Sequence, residues 1–213
     1  MTGGTGYLGR PLLEALIGKG FEVHGLARQG SEHKLPPGSI PVVGNALDAA
    51  TFATLIPPDA TLVHLVGTPH PNPSKAAEFQ RVDLASIRAT VAAARQAAVR
   101  HLVYVSVAHP APVMKAYIAV REQGETMVRE TGIPATILRP WYVLGPGHWW
   151  PYALVPVYAL LRAIPSTRDG ADRLALVTHR QMVGALVNAV ENPPTRGVKI
   201  VPANEIRRSI RSG

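Results

Sequence analysis

The chain has 213 residues, 46% hydrophobic and 17% charged, enough apolar sequence for one sizeable core and too much for a disordered chain. It has no cysteine, which excludes disulfides, thiolate zinc sites and cysteine nucleophiles and suits a reducing cytoplasm. Its net charge of +8 comes from scattered arginines, clustered only at Arg207, Arg208 and Arg211, so the basic stripe with interleaved aromatics that a nucleic acid needs is missing and no such partner is expected. No secretory leader and no apolar run of ~18 residues is read in it.

The first element is a glycine-rich turn, Thr2-Gly3-Gly4-Thr5-Gly6-Tyr7-Leu8-Gly9, leading into a helix over Leu8–Lys19 that Gly20 stops. Strands are predicted at Phe21–Ala27 and Ile40–Gly44; Pro41 cannot donate a ladder hydrogen bond, so the second belongs at a sheet edge. A strand at Thr61–Val66 is followed by an alanine-rich helix over Ala76–Val99, with Phe79, Val82, Ile87 and Val91 on one face. Then come a strand at His101–Ser106, a helix over Met114–Glu130, a strand at Ala135–Arg139, a helix over Arg180–Glu191 and a strand at Val198–Val201. Nearly all-apolar strands alternating with helices predict an α/β fold, a Rossmann-type doubly wound parallel sheet with helices on both faces. One domain is expected over residues 1–213, with 145–180 forming a small substrate lobe and 207–213 a basic tail.

The glycines fit G-x-G-x-x-G (Gly4, Gly6, Gly9) and G-x-x-G-x-x-G (Gly3, Gly6, Gly9). Such a turn lets backbone approach a pyrophosphate, and the helix behind it aims its N–H groups and dipole at the same anion. Gly3, Thr5, Gly6, Tyr7 and Leu8 are therefore candidate dinucleotide contacts. The fingerprint normally follows a strand, and only Met1 and Thr2 precede it, so the first strand reads as truncated and a natural start upstream is the favoured explanation. After the second strand an Asp or Glu would hold the ribose 2′-hydroxyl of NAD; Arg28 stands there instead, and a guanidinium fork suits the 2′-phosphate of NADP(H), with Arg10 and Lys34 as further charges.

The order TGGTGYLG, Arg28, Gly44-Asn45-Ala46-Leu47-Asp48, Val105-Ser106 and Leu138-Arg139-Pro140 resembles the short-chain dehydrogenase/reductase superfamily, closest to its atypical NAD-dependent epimerase/dehydratase and NmrA-like members. The resemblance runs to about residue 202 and departs at Asn45, where the family has an acid. It implies that Ala46 and Leu47 flank the adenine, that Leu65, Val66 and Gly67 line the ribose, and that Pro140 to Val143 lie near the nicotinamide. It also implies a catalytic set: Ser106 holding a substrate oxygen, Tyr117 exchanging a proton with it, and Arg121 replacing the family's lysine. An arginine there is not a conservative exchange. The expected activity is an NADP(H)-dependent oxidoreductase or epimerase-like enzyme acting on a small molecule. Two alternatives stay open: a non-catalytic dinucleotide sensor and an accessory subunit at a membrane surface.

Trp141, Trp149 and Trp150 fall within the segment leading from the sixth strand to Tyr152, which suits an aromatic-lined pocket; Trp141, His148 and Trp149 are its candidate lining. The apolar stretch to Ile164 reads as a pocket lid, a homodimer helix or, least favoured, an interfacial membrane contact. The histidines are dispersed without metal-ligand spacing, so no metal site is expected. The absence of a G-x-S-x-G elbow excludes an α/β-hydrolase.

Overall fold

The computed structural model describes residues 1–111, 113–145 and 174–209. The predicted alternation is present: α1 (Gly9–Gly18), β1 (His24–Ala27), β2 (Ile40–Val43), β3 (Thr61–His64), α2 (Ala76–Glu78), a π-helical stretch (Phe79–Leu84), α3 (Ala85–Gln96), β4 (His101–Val105), α4 (Lys115–Arg129), β5 (Ala135–Arg139), β6 (Val143–Leu144), β7 (Val177–Thr178), α5 (His179–Glu191), β8 (Val198–Pro202) and α6 (Ala203–Ile206). Phe21 to Val23 stay outside the strand predicted for them. The Phe21 amide turns back to the Leu16 carbonyl at 3.1 Å, closing the end of α1.

β1 and β2 pair in parallel, and β3, β4, β5 and β8 form a parallel sheet in that order. Met1 and Thr2 join the two. Towards β1, the Met1 nitrogen donates to the His24 carbonyl (2.6 Å) and the Leu26 amide to the Met1 carbonyl (2.9 Å). Towards β3, the Thr2 amide donates to the Val63 carbonyl (2.9 Å) and the Leu65 amide to the Thr2 carbonyl (3.1 Å). The resulting order is β2-β1-(Met1–Thr2)-β3-β4-β5-β8, the strand order of a doubly wound nucleotide-binding sheet. Beside Met1, between the beginnings of β1 and β3, lies an apolar cavity of about 250 Å³ lined by Leu16, Phe21, Val23, Leu62 and Val63 among others. β2 lies at the sheet edge, as Pro41 requires.

Successive strand residues point to opposite faces, and each face is covered by helices, which is why the strands read as unbroken apolar runs. Val63, Val103 and Leu138 pack with Leu12, Leu13 and Leu16 of α1 and Met182 and Leu186 of α5. Leu62, Leu102, Tyr104 and Ile137 pack with Phe79, Ile87, Val91, Val120 and Val128 on the other side.

Two histidines are buried in this sheet. His64 Nδ1 lies 2.9 Å from the Thr2 hydroxyl and 2.8 Å from the Thr90 hydroxyl, and Nε2 lies 3.4 Å from Ser86 Oγ. It thus ties Thr2 to α3. Burial, reinforced by the positive charge of Arg121, lowers its pKa to about 3. His101 sits between Thr61 and Thr136, and burial with nearby Arg100 lowers it to about 4. Both rings are neutral in the fold and take up protons near pH 6.5 once unfolded. Their stabilisation is therefore complete above that pH and is lost as the pH falls towards 3–4. At pH 5 the loss is about 2 kcal/mol for each ring, so the two together lower the thermal midpoint by about 8–16 °C relative to pH 7.5. Calorimetric scans at the two pH values check this; equal midpoints contradict it.

Candidate active site

The glycine turn leaves the sheet directly from Thr2. Gly3 has φ +77°, and a Cβ there would lie 2.9 Å from the Leu65 carbonyl carbon, so the turn rests against the Leu65–Val66 backbone. The Gly6 amide closes on the Gly3 carbonyl (3.0 Å) and the Arg10 amide on the Gly6 carbonyl (3.1 Å). The Leu8 amide, just before α1, has no acceptor among the described residues. Of the predicted turn residues Gly3, Thr5, Gly6, Tyr7 and Leu8, Gly3 thus lies directly against the predicted ribose residues Leu65 and Val66, and the others continue the turn into α1.

Arg28 follows β1 and is exposed, with no ion-pair partner among the described residues. Ala46 and Leu47 follow the neighbouring strand β2, in a turn where Asn45 Oδ1 accepts from the Leu47 amide (3.0 Å). Ala46 is half-buried and Leu47 is 40% exposed. A free main-chain donor at a helix start and an exposed apolar side chain near these strand ends match the diphosphate and base of a dinucleotide. The residues present therefore fit that cofactor.

A second constellation lies at the ends of β4 and β5. Ser106 continues β4, and its amide donates to the Leu138 carbonyl (2.8 Å). Its buried hydroxyl, near the Glu125 carboxylate, meets no partner with hydrogen-bond geometry. Tyr117 and Arg121 lie one turn apart on α4, with the guanidinium carbon 5.0 Å from the centre of the tyrosine ring. Arg121 Nη1 donates to the Val105 carbonyl (3.0 Å), beside Ser106, and Nη2 to Asp83 Oδ1 (2.5 Å); Nε is buried without a partner. Ser106, Tyr117 and Arg121 therefore share one corner. Burial alone would lower the Arg121 pKa, but Tyr117, Tyr104 and Asp83 outweigh it and raise the pKa further.

Asp83 was not singled out by sequence reasoning, because acids are presumed to face water. It is 1% exposed, and its other oxygen accepts from the Thr68 amide (3.0 Å) and hydroxyl (2.6 Å). The π-helical stretch carries both Asp83 and Phe79, whose ring lies 5.0 Å from that of Tyr117. Such stretches occur frequently at functional sites. Gly67 lies against the Asp83–Arg121 ion pair, where any side chain would strike the Arg121 guanidinium.

Glu125 was also missed. It is gripped by Arg139 (Nε to Oε1, 2.8 Å; Nη2 to Oε2, 2.5 Å) and by Arg129 (2.9 Å), and it lies 3.3 Å from His109 Nε2. Burial would raise its pKa, but Arg139, the nearby Ser106 hydroxyl and Arg129 hold it at about 2. This clamp fastens the Leu138-Arg139-Pro140 segment to α4. Pro140 is buried, its carbonyl accepting from the Ala108 amide (2.8 Å); Val143 opens β6; Trp141 is half-buried against Tyr142, ring centres 5.2 Å apart. His148, Trp149, Trp150, most of the lobe over 145–180, the stretch to Ile164 and the tail beyond residue 209 lie outside the described residues.

A sequence profile for a family described as NAD(P)H-binding matches residues 3–146. The chain belongs to that family. This NAD(P)H-binding chain is 28% identical over 167 residues to a 4-hydroxy-2-methyl-3-oxo-4-farnesyl-3,4-dihydroquinoline-1-oxide ketoreductase of Stigmatella aurantiaca, covering 68% of the chain and 50% of that enzyme. It is 28% identical over 210 residues to a ceramide reductase of Caulobacter vibrioides (strain NA1000 / CB15N), covering 98% of the chain and 64% of the relative. The chain thus spans 50% and 64% of the lengths of these relatives. A short-chain dehydrogenase/reductase superfamily protein from Agrobacterium tumefaciens, solved with bound NAD, shares the fold with a TM-score of 0.68 at 19% identity, over 94% of this chain and 76% of that one.

The buried Asp83–Arg121 pair sets a stability expectation. Asp83→Ala or Arg121→Met alone strands a buried charge and costs about 3–5 kcal/mol. The double variant Asp83→Ala/Arg121→Met is destabilised by clearly less than the sum of the two. Urea unfolding of the three variants measures this; additive losses show that the pair does not act as a unit.

Proposed function

We propose that the chain is an NADP(H)-dependent reductase of a carbonyl group on an apolar small molecule. The observation that carries the reading is the buried, unpartnered Ser106 hydroxyl in the corner shared by Tyr117 and Arg121. Bound NADPH supplies the hydride that reduces the carbonyl carbon. The Ser106 O–H donates a hydrogen bond to the substrate oxygen and fixes its position. Tyr117 passes its phenolic proton to the same oxygen as negative charge develops there. Arg121 holds the corner in shape by bonding Val105 and Asp83 and places a positive charge against the tyrosine ring. The curated relatives are named for ceramide and for a farnesyl-bearing compound, which favours an apolar substrate here. Trp141 lines the approach in this reading. A cysteine-free chain suits the cytoplasm, and among the described residues no helix is long and apolar enough to cross a membrane.

Arg28 makes NADPH the preferred cofactor in this reading. Arg28→Ala is expected to weaken NADPH binding at least about tenfold, the loss of a charge-assisted hydrogen bond, while NADH binding is unchanged. Fluorescence titration with both cofactors decides it, and equal losses for the two defeat the preference.

One observation favours a second reading, a dinucleotide sensor without turnover: the Arg121 guanidinium is tied to Asp83 and Val105. Tyr117→Phe separates the two. In the reductase it keeps NADPH binding and slows reduction of an apolar ketone panel by about 10²–10⁴. A parent chain that binds NADPH but oxidises it with no member of the panel supports the sensor.

A further inference from the structure

The main-chain carbonyl of Tyr7, inside the glycine turn, is held from an element 172 residues away. His179 Nε2 lies 2.9 Å from it and donates to it, and the two rings meet edge to face with centres 4.5 Å apart. His179 is the first residue of α5, and its position is built. The Thr178 side chain accepts from the Gln181 amide (3.2 Å) while Gln181 Oε1 accepts from the Thr178 amide (2.8 Å), a reciprocal cap that fixes the helix start. β7, which ends at Thr178, pairs with β6, and Gly145, just past β6, leaves room for the Tyr7 hydroxyl where any side chain would collide with it.

The Tyr7 carbonyl and the Leu8 N–H belong to one peptide plane, and in a trans peptide they point in opposite directions. A hydrogen bond that captures the carbonyl on the α5 side keeps the N–H turned to the other side. That N–H, at the mouth of α1, has no acceptor among the described residues. Rotation of this plane would turn about the Tyr7 Cα–C and Leu8 N–Cα bonds, and the His179 hydrogen bond to the carbonyl opposes it. We propose that His179 is a positioning residue for the dinucleotide diphosphate: it locks the Tyr7–Leu8 peptide so that the Leu8 amide faces the bridging phosphates. The inference rests on the chain's NAD(P)H binding and adds a residue outside the glycine turn to that site.

Two variants separate the hydrogen bond from the ring contact. His179→Phe keeps an aromatic ring against Tyr7 and removes the donor; His179→Gln removes the ring and keeps an N–H of similar reach. Calorimetry on the full chain would use NADPH and ADP-ribose, which contain the bridging diphosphate, and adenosine 2′-monophosphate, which does not. His179→Phe is expected to bind NADPH and ADP-ribose about tenfold more weakly and adenosine 2′-monophosphate as the parent does, while His179→Gln stays close to the parent for all three. Overturning results are a His179→Phe variant that binds the diphosphate ligands as tightly as the parent, a His179→Gln variant as impaired as His179→Phe, or equal losses for all three ligands. A parent chain that binds no NADPH overturns the dinucleotide site itself and the inference with it; parent-like binding in His179→Phe overturns the inference alone.

Discussion

The site depends on the parallel pairing of Met1 and Thr2 between β1 and β3. Those hydrogen bonds merge two smaller sheets into one and fix the point from which the glycine turn departs. Thr2 is gripped a second time through its side chain by His64, itself bonded to α3. The turn therefore starts from a position defined by both neighbouring strands and a helix. That rigidity is what main-chain recognition of a diphosphate needs, because an amide pointing a few tens of degrees away loses its hydrogen bond.

The second half of the site follows a different principle, in which charge is balanced before it is used. Arg121 and Asp83 are buried together, and Glu125 is surrounded by Arg139 and Arg129. Each carboxylate is hydrogen-bonded on both oxygens, which makes a buried ionic group tolerable. α4 contributes Tyr117, Arg121 and Glu125 at spacings of four, so one helix face carries the ring, the cation and the anion that anchor it to β4 and β5.

Much of the fold was legible because burial on both faces leaves a plain trace: the runs at Thr61, His101, Ala135 and Val198 needed only their apolar, β-branched character to be read as parallel strands. The glycine turn was legible for a similar reason, since few residues other than glycine allow what Gly3 and Gly9 permit. The short pair β6–β7 was not, because two residues carry no period. Asp83 was passed over because an acid in an amphipathic helix reads as its wet face, and Glu125 because its partner Arg139 lies on another strand. His179 looked like one more dispersed histidine; its contact with Tyr7 spans nearly the whole chain and leaves no local signal.

The edge strand β2 has a consequence beyond the nucleotide. Ile40 and Val43 are 40% and 46% exposed on a strand whose outer rim has no neighbour among the described residues, a surface on which another polypeptide's strand would readily stack. Pro41, in the middle of that rim, carries no N–H and interrupts the row of donors. One imino acid thereby makes this border of the molecule a poor template for sheet-to-sheet aggregation.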